Sequence, residues 1–192
     1  MPTKSGQFWV TWANANATAS KNVDDLAEPF RSSAKAFIKA LEDAGAKVDV
    51  TNTRRSAKRA YLFHWSWKIS QGRATGAQGD LDKLTGVEIQ WDHGNDAASK
   101  AGALEMVNGF GLAVPPKSTN PPSKSSNHTE GTAIDMTISW TGTIQVKKKD
   151  NTVVALPFNA NVNANTALHD VSASYGVRKL ATDAPHWSAD GH

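Results

Sequence analysis

The chain has 192 residues with a net charge of +3, and 39% of them are hydrophobic, including seven tryptophans. This composition excludes a disordered chain, and the mildly basic charge suits an anionic partner such as a cell wall without selecting one. Because the sequence has no cysteine, disulfides and thiolate ligands are excluded, and a metal ion would have to bind histidine, aspartate or glutamate.

The length predicts a single domain covering residues 1–192, of which residues 1–45 are the least distinctive. No apolar stretch approaches the roughly 20 residues of a membrane span. The first seven residues lack the apolar segment of a signal peptide, so we expect the protein to be made and held in a cytoplasm.

The first part of the chain is predicted to contain two strands and two helices. Residues 8–12 are predicted to form a short strand. A helix then begins at the N-cap Asp24 and ends at Gly45, since its apolar residues recur at steps of three and four. A strand over residues 48–53 and a second helix over residues 57–71 complete this part.

Glycine and proline residues indicate two loops in the middle of the chain. Residues 72–86 are predicted as a glycine-rich loop, and residues 87–91 alternate like a strand. Residues 96–107 are predicted as a helix capped by Asn95 or Asp96. Residues 114–125 contain two Pro-Pro pairs and are predicted to form a loop.

The last part alternates with a period of two. Over residues 134–140 the apolar side chains are predicted to face inward, which leaves Asp135 on the open face. A turn at Thr141-Gly142 is predicted to join this strand to residues 143–146 as a hairpin. Residues 153–156 are predicted to add a third strand, and residues 166–174 a last helix.

Four polar side chains suggest a metal site with an acid–base group. His128 lies just before the strand that carries Asp135, and together they supply two of the three ligands of a catalytic zinc site. His186 is the candidate third ligand, and Pro185 favours the bend that would place Asp183 beside it. The metal would keep an open position for water, and Asp183 would take and return the proton.

Two motifs resemble those of the M15 group of zinc peptidases. Residues 126–135 have the pattern Ser-x-His-x-x-Gly-x-Ala-x-Asp, and residues 183–187 have the pattern Asp-x-x-His-Trp. The group contains D-alanyl-D-alanine carboxypeptidases and dipeptidases, and the L-alanyl-D-glutamate endopeptidases of phage endolysins. The resemblance covers about residue 48 to the C-terminus. It implies an α+β fold of the hedgehog/DD-peptidase type, with a small antiparallel sheet that carries the metal site and three to four flanking helices.

The resemblance also implies roles for individual side chains. In the group, an Arg-Ser pair after a strand stabilises the oxyanion or binds a substrate carboxylate, and Arg55 occupies that place. Arg54 and Arg59 match less well, but the glutamine that follows in the group is not found here, so the choice among the three arginines stays open. Ser126 is expected to touch the substrate, and Trp187 is expected to form a wall of the site.

We therefore predict a zinc-dependent peptidoglycan hydrolase. Asp183 stands where the carboxypeptidases usually carry glutamate, which favours a bacteriophage endolysin that cuts murein stem peptides between L-Ala and D-Glu. We expect a monomer without a nucleic-acid partner, held in the host cytoplasm until the membrane is breached. Two alternatives are a D-Ala-D-Ala carboxypeptidase or dipeptidase of the same group, and a non-catalytic module that binds zinc or the cell wall.

Overall fold

Helices and small, mostly antiparallel sheets are found in residues 2–192, the part of the chain that the computed structural model describes, and give it the predicted α+β class. Its seven α-helices are α1 (Gln7–Asn16), α2 (Phe30–Asp43), α3 (Ala57–Ser70), α4 (Gly76–Leu81), α5 (Asp96–Phe110), α6 (Asn127–Glu130) and α7 (Thr166–Ser174). Its eight strands are β1 (Thr3–Lys4), β2 (Lys47–Asn52), β3 (Ile89–Gln90), β4 (Ala133–Ser139), β5 (Thr143–Lys147), β6 (Val153–Pro157), β7 (Arg178–Lys179) and β8 (His186–Ser188).

The chain divides into two compact units, each assembled from two separate stretches of sequence. The first unit comprises the residues up to 18 together with residues 56–126, and the second comprises residues 19–55 and 127–192. The assignment of residues 1–192 to one domain stays a prediction, and its first residue, Met1, lies outside the described residues. None of the helices in residues 2–192 combines the length and the apolar character that a membrane crossing requires.

The first unit is built around α3 and α5, with α1 packed beside them. The prediction of a strand over residues 8–12 is wrong, because these residues lie within α1. Trp9, Val10 and Ala13 are all buried and are spaced as on one face of a helix. The helical spacing of these buried residues determines the structure, although the alternation within residues 8–12 suggested a strand.

Capping side chains explain how two further helices of the first unit begin. Thr75 and Gln78 form a capping box that starts α4, a helix inside the predicted glycine-rich loop. Asn95 caps α5 as predicted, since its side chain accepts a hydrogen bond of 2.8 Å from the backbone N–H of Ala98. Helix α5 ends at Gly111, which adopts the left-handed conformation (φ 65°).

The second unit contains a four-stranded antiparallel sheet with the order β2-β4-β8-β7. In β4 the predicted alternation is confirmed, because Ile134, Met136 and Ile138 are buried whereas Asp135 is only half-buried. Helix α2 belongs to the same core through its buried apolar residues, which recur at steps of three and four as predicted. These residues are Phe30, Ala34, Phe37 and Leu41.

The predicted hairpin between the metal-site strand and residues 143–146 is wrong. Strand β4 pairs with β2 and β8, and β5 pairs instead with β6 in a separate two-stranded sheet. Trp140 turns into the core after β4, where its Nε1 donates a hydrogen bond of 3.2 Å to the carbonyl oxygen of Leu156. The chain therefore leaves the larger sheet before the turn at Gly142.

Trp187 lies in the core of the second unit and does not line the metal site, which corrects its predicted role. Its side chain is 0% exposed, and its ring centroid lies 5.7 Å from that of Phe37. Successive residues of a strand face opposite sides, so Trp187 and His186 in β8 point away from each other. The tryptophan is a packing residue.

We expect Trp187→Ala to lower the free energy of unfolding by about 3 to 5 kcal/mol, because it removes a large buried side chain. Phe158→Ala is the matched control: Phe158 is 46% exposed, and its loss should cost about 1 kcal/mol or less. Urea unfolding of both variants measures the difference. If both variants are equally stable and Trp187→Ala binds ligand more weakly, Trp187 lines the site as first predicted.

Candidate metal centre

Three segments of the second unit bring the predicted ligands together. His128 lies in α6, Asp135 in β4, and His186 at the start of β8, where it is the register partner of Asp135. Between α6 and β4 the chain turns at Gly131, which has φ 78° and follows the short helix directly. A Cβ atom at this position would lie 2.9 Å from the backbone nitrogen of Ala27, so the turn requires glycine.

The three atoms that would bind a metal, one from each side chain, form a triangle. His128 Nε2 lies 3.3 Å from Asp135 Oδ1 and 3.2 Å from His186 Nδ1, and the third edge, from His186 Nδ1 to Asp135 Oδ1, is 3.1 Å. In tetrahedral zinc sites with bonds of about 2.0–2.1 Å, neighbouring ligand atoms lie roughly 3.3–3.4 Å apart. The group could therefore hold a metal ion, as predicted for these three residues.

Two backbone carbonyl oxygens fix the tautomers of the histidines. His128 Nδ1 lies 2.6 Å from the carbonyl oxygen of Thr53, and His186 Nε2 lies 3.1 Å from that of His192. A carbonyl oxygen only accepts hydrogen bonds, so each of these nitrogens carries the proton. The other nitrogen of each ring then presents a lone pair to the triangle, and hydrogen bonds of this kind orient histidine ligands in metal sites.

Asn52 holds the second oxygen of the carboxylate. Its Nδ2 donates a hydrogen bond of 3.2 Å to Asp135 Oδ2, which leaves Oδ1 directed at the two histidines. Burial raises the pKa of Asp135. Hydrogen bonds with the histidines and with Asn52 lower it by more, so the pKa lies well below its usual range. The carboxylate is therefore an anion, the form that binds a metal.

The same carboxylate acts on His186. When His186 is protonated, its Nδ1–H donates to Asp135, and this hydrogen bond raises the pKa of His186, although burial opposes the shift. With both tautomers fixed, two lone pairs and one carboxylate oxygen face one another at 3.1–3.3 Å. Three acceptor atoms this close repel one another unless a cation or a proton lies between them, so a metal and a proton compete for this position.

The bend predicted around Pro185 is present. His186 N–H donates to the carbonyl oxygen of Asp183 at 3.1 Å, and Asp183 N–H donates to that of Leu180 at 3.2 Å. Asp183 is exposed, and its charge adds to the rise in the pKa of His186. Asp183 is thus an exposed residue of the bend that leads to His186, and its acid–base role stays a prediction.

Of the three candidate arginines, Arg55 has a direct link to a metal ligand. Its backbone N–H donates a hydrogen bond of 2.9 Å to the carbonyl oxygen of His128. Arg54 is exposed, and Arg59 belongs to the first unit, where it donates to Asn14 Oδ1 at 3.1 Å. This contact links the Arg55 backbone to His128, and the choice of the arginine whose guanidinium serves the site stays a prediction.

Ser126 is half-buried and ends the sequence range 56–126 of the first unit, and its contact with substrate stays a prediction. Sequence reasoning missed the groups that surround the ligands, namely Asn52 and the backbone oxygens of Thr53 and His192. One signal was present for Asn52. It is a polar residue at the end of a predicted strand and next to the arginine pair.

No model of a known protein family matches the chain, and no curated protein matches it either. The resemblance to the zinc peptidases therefore stays a prediction that depends on the two motifs. What the fold adds is independent of that resemblance: the residues of both motifs, far apart in sequence, meet at one group of three ligand atoms.

We expect Asp135→Asn to abolish metal binding, because it removes the anionic ligand from the triangle. Dialysis against zinc followed by elemental analysis should give an equimolar amount of metal for the wild type and nearly none for the variant. Asp49→Asn is the control, since Asp49 is an exposed carboxylate on β2. Retention of metal by Asp135→Asn would show that the ion binds elsewhere.

We expect Asn52→Ala to weaken zinc affinity by about 10- to 100-fold without abolishing it, because Asp135 loses the group that orients its carboxylate. Competition with a chromophoric chelator gives the affinity. In the control Thr51→Ala, the lost hydroxyl donates at 3.2 Å to the backbone oxygen of Asp135 and not to its carboxylate, so affinity should change little. Equal losses in both variants would mean that backbone packing, not the Asn52 amide, sets the affinity.

Proposed function

We propose that this protein is a zinc-dependent peptidase that hydrolyses peptidoglycan. The observation that carries the proposal is the triangle of His128, Asp135 and His186, with three acceptor atoms facing one another at 3.1–3.3 Å. Two imidazoles and one carboxylate form a ligand set typical of catalytic zinc, whose fourth position remains open for water or substrate. Calcium and magnesium prefer oxygen ligands, so this set favours zinc over either of them.

The metal, Asp183 and Arg55 each supply one part of the proposed chemistry of amide hydrolysis. When bound, zinc acidifies water and polarises the carbonyl group of the substrate. Asp183 accepts the proton of the attacking water and returns it to the leaving amine. Arg55 stabilises the negative charge that develops on the carbonyl oxygen, or binds a carboxylate of the substrate.

A groove runs along the later part of β4 and the bend that carries Asp183, and none of the three ligands lines it. Its volume is about 450 Å³. The lining side chains are uncharged, and among them are Ile138, Phe158 and Pro185. Such walls suit the alanine side chains of the murein stem but not the carboxylate of its D-glutamate, for which Arg55 is the proposed partner.

The resemblance of the two motifs narrows the proposal to an endolysin. Aspartate at position 183 favours the endopeptidases that cut between L-Ala and D-Glu, and lysis of a phage-infected host is the setting that we propose. A D-Ala-D-Ala carboxypeptidase or dipeptidase would use the same ligands, so the released products distinguish the two activities. The third candidate is a module that binds zinc and the cell wall without cutting it.

We expect the wild-type protein to clear a suspension of purified murein, to lose this activity on chelation, and to regain it with zinc. Asp183→Ala should reduce clearing by at least about 100-fold, because general acid–base catalysis commonly contributes that much, while zinc remains bound. Asp170→Ala, which removes an exposed carboxylate of α7, should clear murein like the wild type.

The products decide which peptidase is present. A new amino group on D-glutamate indicates the endopeptidase, and free D-alanine indicates the carboxypeptidase. If the wild type binds zinc but leaves murein and soluble muropeptides intact, the peptidase proposal fails. The binding module is then the remaining interpretation, and a murein pull-down of the zinc-loaded protein would test it.

A further inference from the structure

Lys179 lies at the end of β7, immediately before the bend of residues 180–186. Its Nζ donates hydrogen bonds to three carbonyl oxygens of this bend: those of Leu180 (2.5 Å), Asp183, and His186 (3.1 Å). The three acceptors are the first residue of the bend, the proposed acid–base residue and a metal ligand. One side chain thus joins the two ends and the middle of the same segment.

The ammonium group is fully used by these contacts. Lysine has three N–H donors, and three carbonyl oxygens accept from them. The side chain is half-buried, and its Nζ lies 5.3 Å from the ring centroid of Trp187, its partner in the β7–β8 register. Lys179 therefore has no donor left for a substrate, which excludes a direct catalytic role.

Backbone hydrogen bonds also hold the bend: Leu180 N–H donates to the carbonyl oxygen of His186 at 3.3 Å, and Met136 N–H of β4 donates to that of Pro185 at 2.8 Å. Residues 181–185 are nevertheless all exposed, and Asp183 itself takes part in two backbone hydrogen bonds of the bend: its N–H donates to the oxygen of Leu180 at 3.2 Å, and its oxygen accepts from His186 N–H at 3.1 Å. Lys179 donates to the same two oxygens. His186 and Pro185 are also tied to β4, by strand pairing and by the Met136 N–H, whereas the hydrogen bonds of Asp183 are with the bend itself and with Lys179.

We propose that Lys179 is a positioning residue that closes the 180–186 bend and so keeps the Asp183 carboxylate beside the metal centre. The closure itself depends only on the contacts described, and its catalytic consequence rests on the proposed peptidase function. The geometry predicts that loss of Lys179 releases Asp183 while the metal ligands remain in place.

The test compares Lys179→Met with wild type, both loaded with zinc, by hydrogen exchange of the amides of residues 180–186. Lys179→Met keeps the length of the side chain and removes all three donors. We expect exchange at Asp183 and His186 to become at least about tenfold faster, because hydrogen bonds to a charged group stabilise a segment by that factor or more. Zinc content should stay equal to that of the wild type.

Kinetics on a soluble muropeptide separate positioning from general stability. Misplacement of the acid–base group should lower kcat by about 10- to 100-fold, while KM changes less than about twofold. Arg178→Met is the matched control, since Arg178 is the exposed neighbour in β7, and it should change neither exchange nor kcat. Lys179→Arg keeps the charge in a planar fork that fits three converging oxygens less well, so both readouts should be intermediate.

Each result supports or overturns the inference. If the exchange rates of Lys179→Met equal those of the wild type, Lys179 does not close the bend, whatever the activity. If the variant loses zinc as its exchange becomes faster, Lys179 supports the ligands instead of Asp183. If Lys179→Met does not fold, Lys179→Arg decides, because wild-type exchange and kcat in that variant would contradict positioning by geometry. If no form cleaves muropeptides, the proposed function fails, and the exchange data still decide whether Lys179 closes the bend.

Discussion

The mutual repulsion of three acceptor atoms is the constraint on which the second unit depends. Two imidazole lone pairs and a carboxylate oxygen lie within 3.1–3.3 Å of one another, partly buried, and the surrounding hydrogen bonds keep them there. Such a cluster costs free energy unless a cation offsets it. Hydrogen bonds with the Asn52 amide and with the backbone oxygens of Thr53 and His192 hold the three ligands in this arrangement.

Strand β4 shows how one segment serves both stability and chemistry. Its apolar residues supply the centre of the core, and the polar face of the same strand carries Asp135. Because β2 and β8 flank β4, Asn52 and His186 reach that carboxylate from opposite sides. A shift of the strand by one residue would bury the carboxylate and expose the core, so the hydrophobic pattern that fixes the register also positions the metal ligand.

Local patterns predicted the parts of the site that are encoded locally. The spacing of His128 and Asp135 and the period of residues 134–140 were sufficient for two ligands and the strand, and Pro185 indicated the bend. The polar character of Asn52 at a strand end was a signal, but its contact with Asp135 could not be predicted, because it depends on a strand pairing between distant segments. The backbone oxygens of Thr53 and His192 could not be predicted either, because every residue type carries such an oxygen. Trp187 was misplaced because adjacency to His186 in sequence was equated with adjacency in space, whereas strand alternation separates them.

The ligands and the acid–base group are held in different ways, and this difference suits the proposed chemistry. His128, Asp135 and His186 are fixed by buried hydrogen bonds and by pairing within the sheet, so the metal can bind without rearrangement of the site. In the proposed chemistry Asp183 exchanges protons with water and substrate, and its place in an exposed bend gives it that access. Access alone would leave its position undefined. The contacts of Lys179 with backbone oxygens restrict the bend without covering the carboxylate, so Asp183 can be both accessible and ordered.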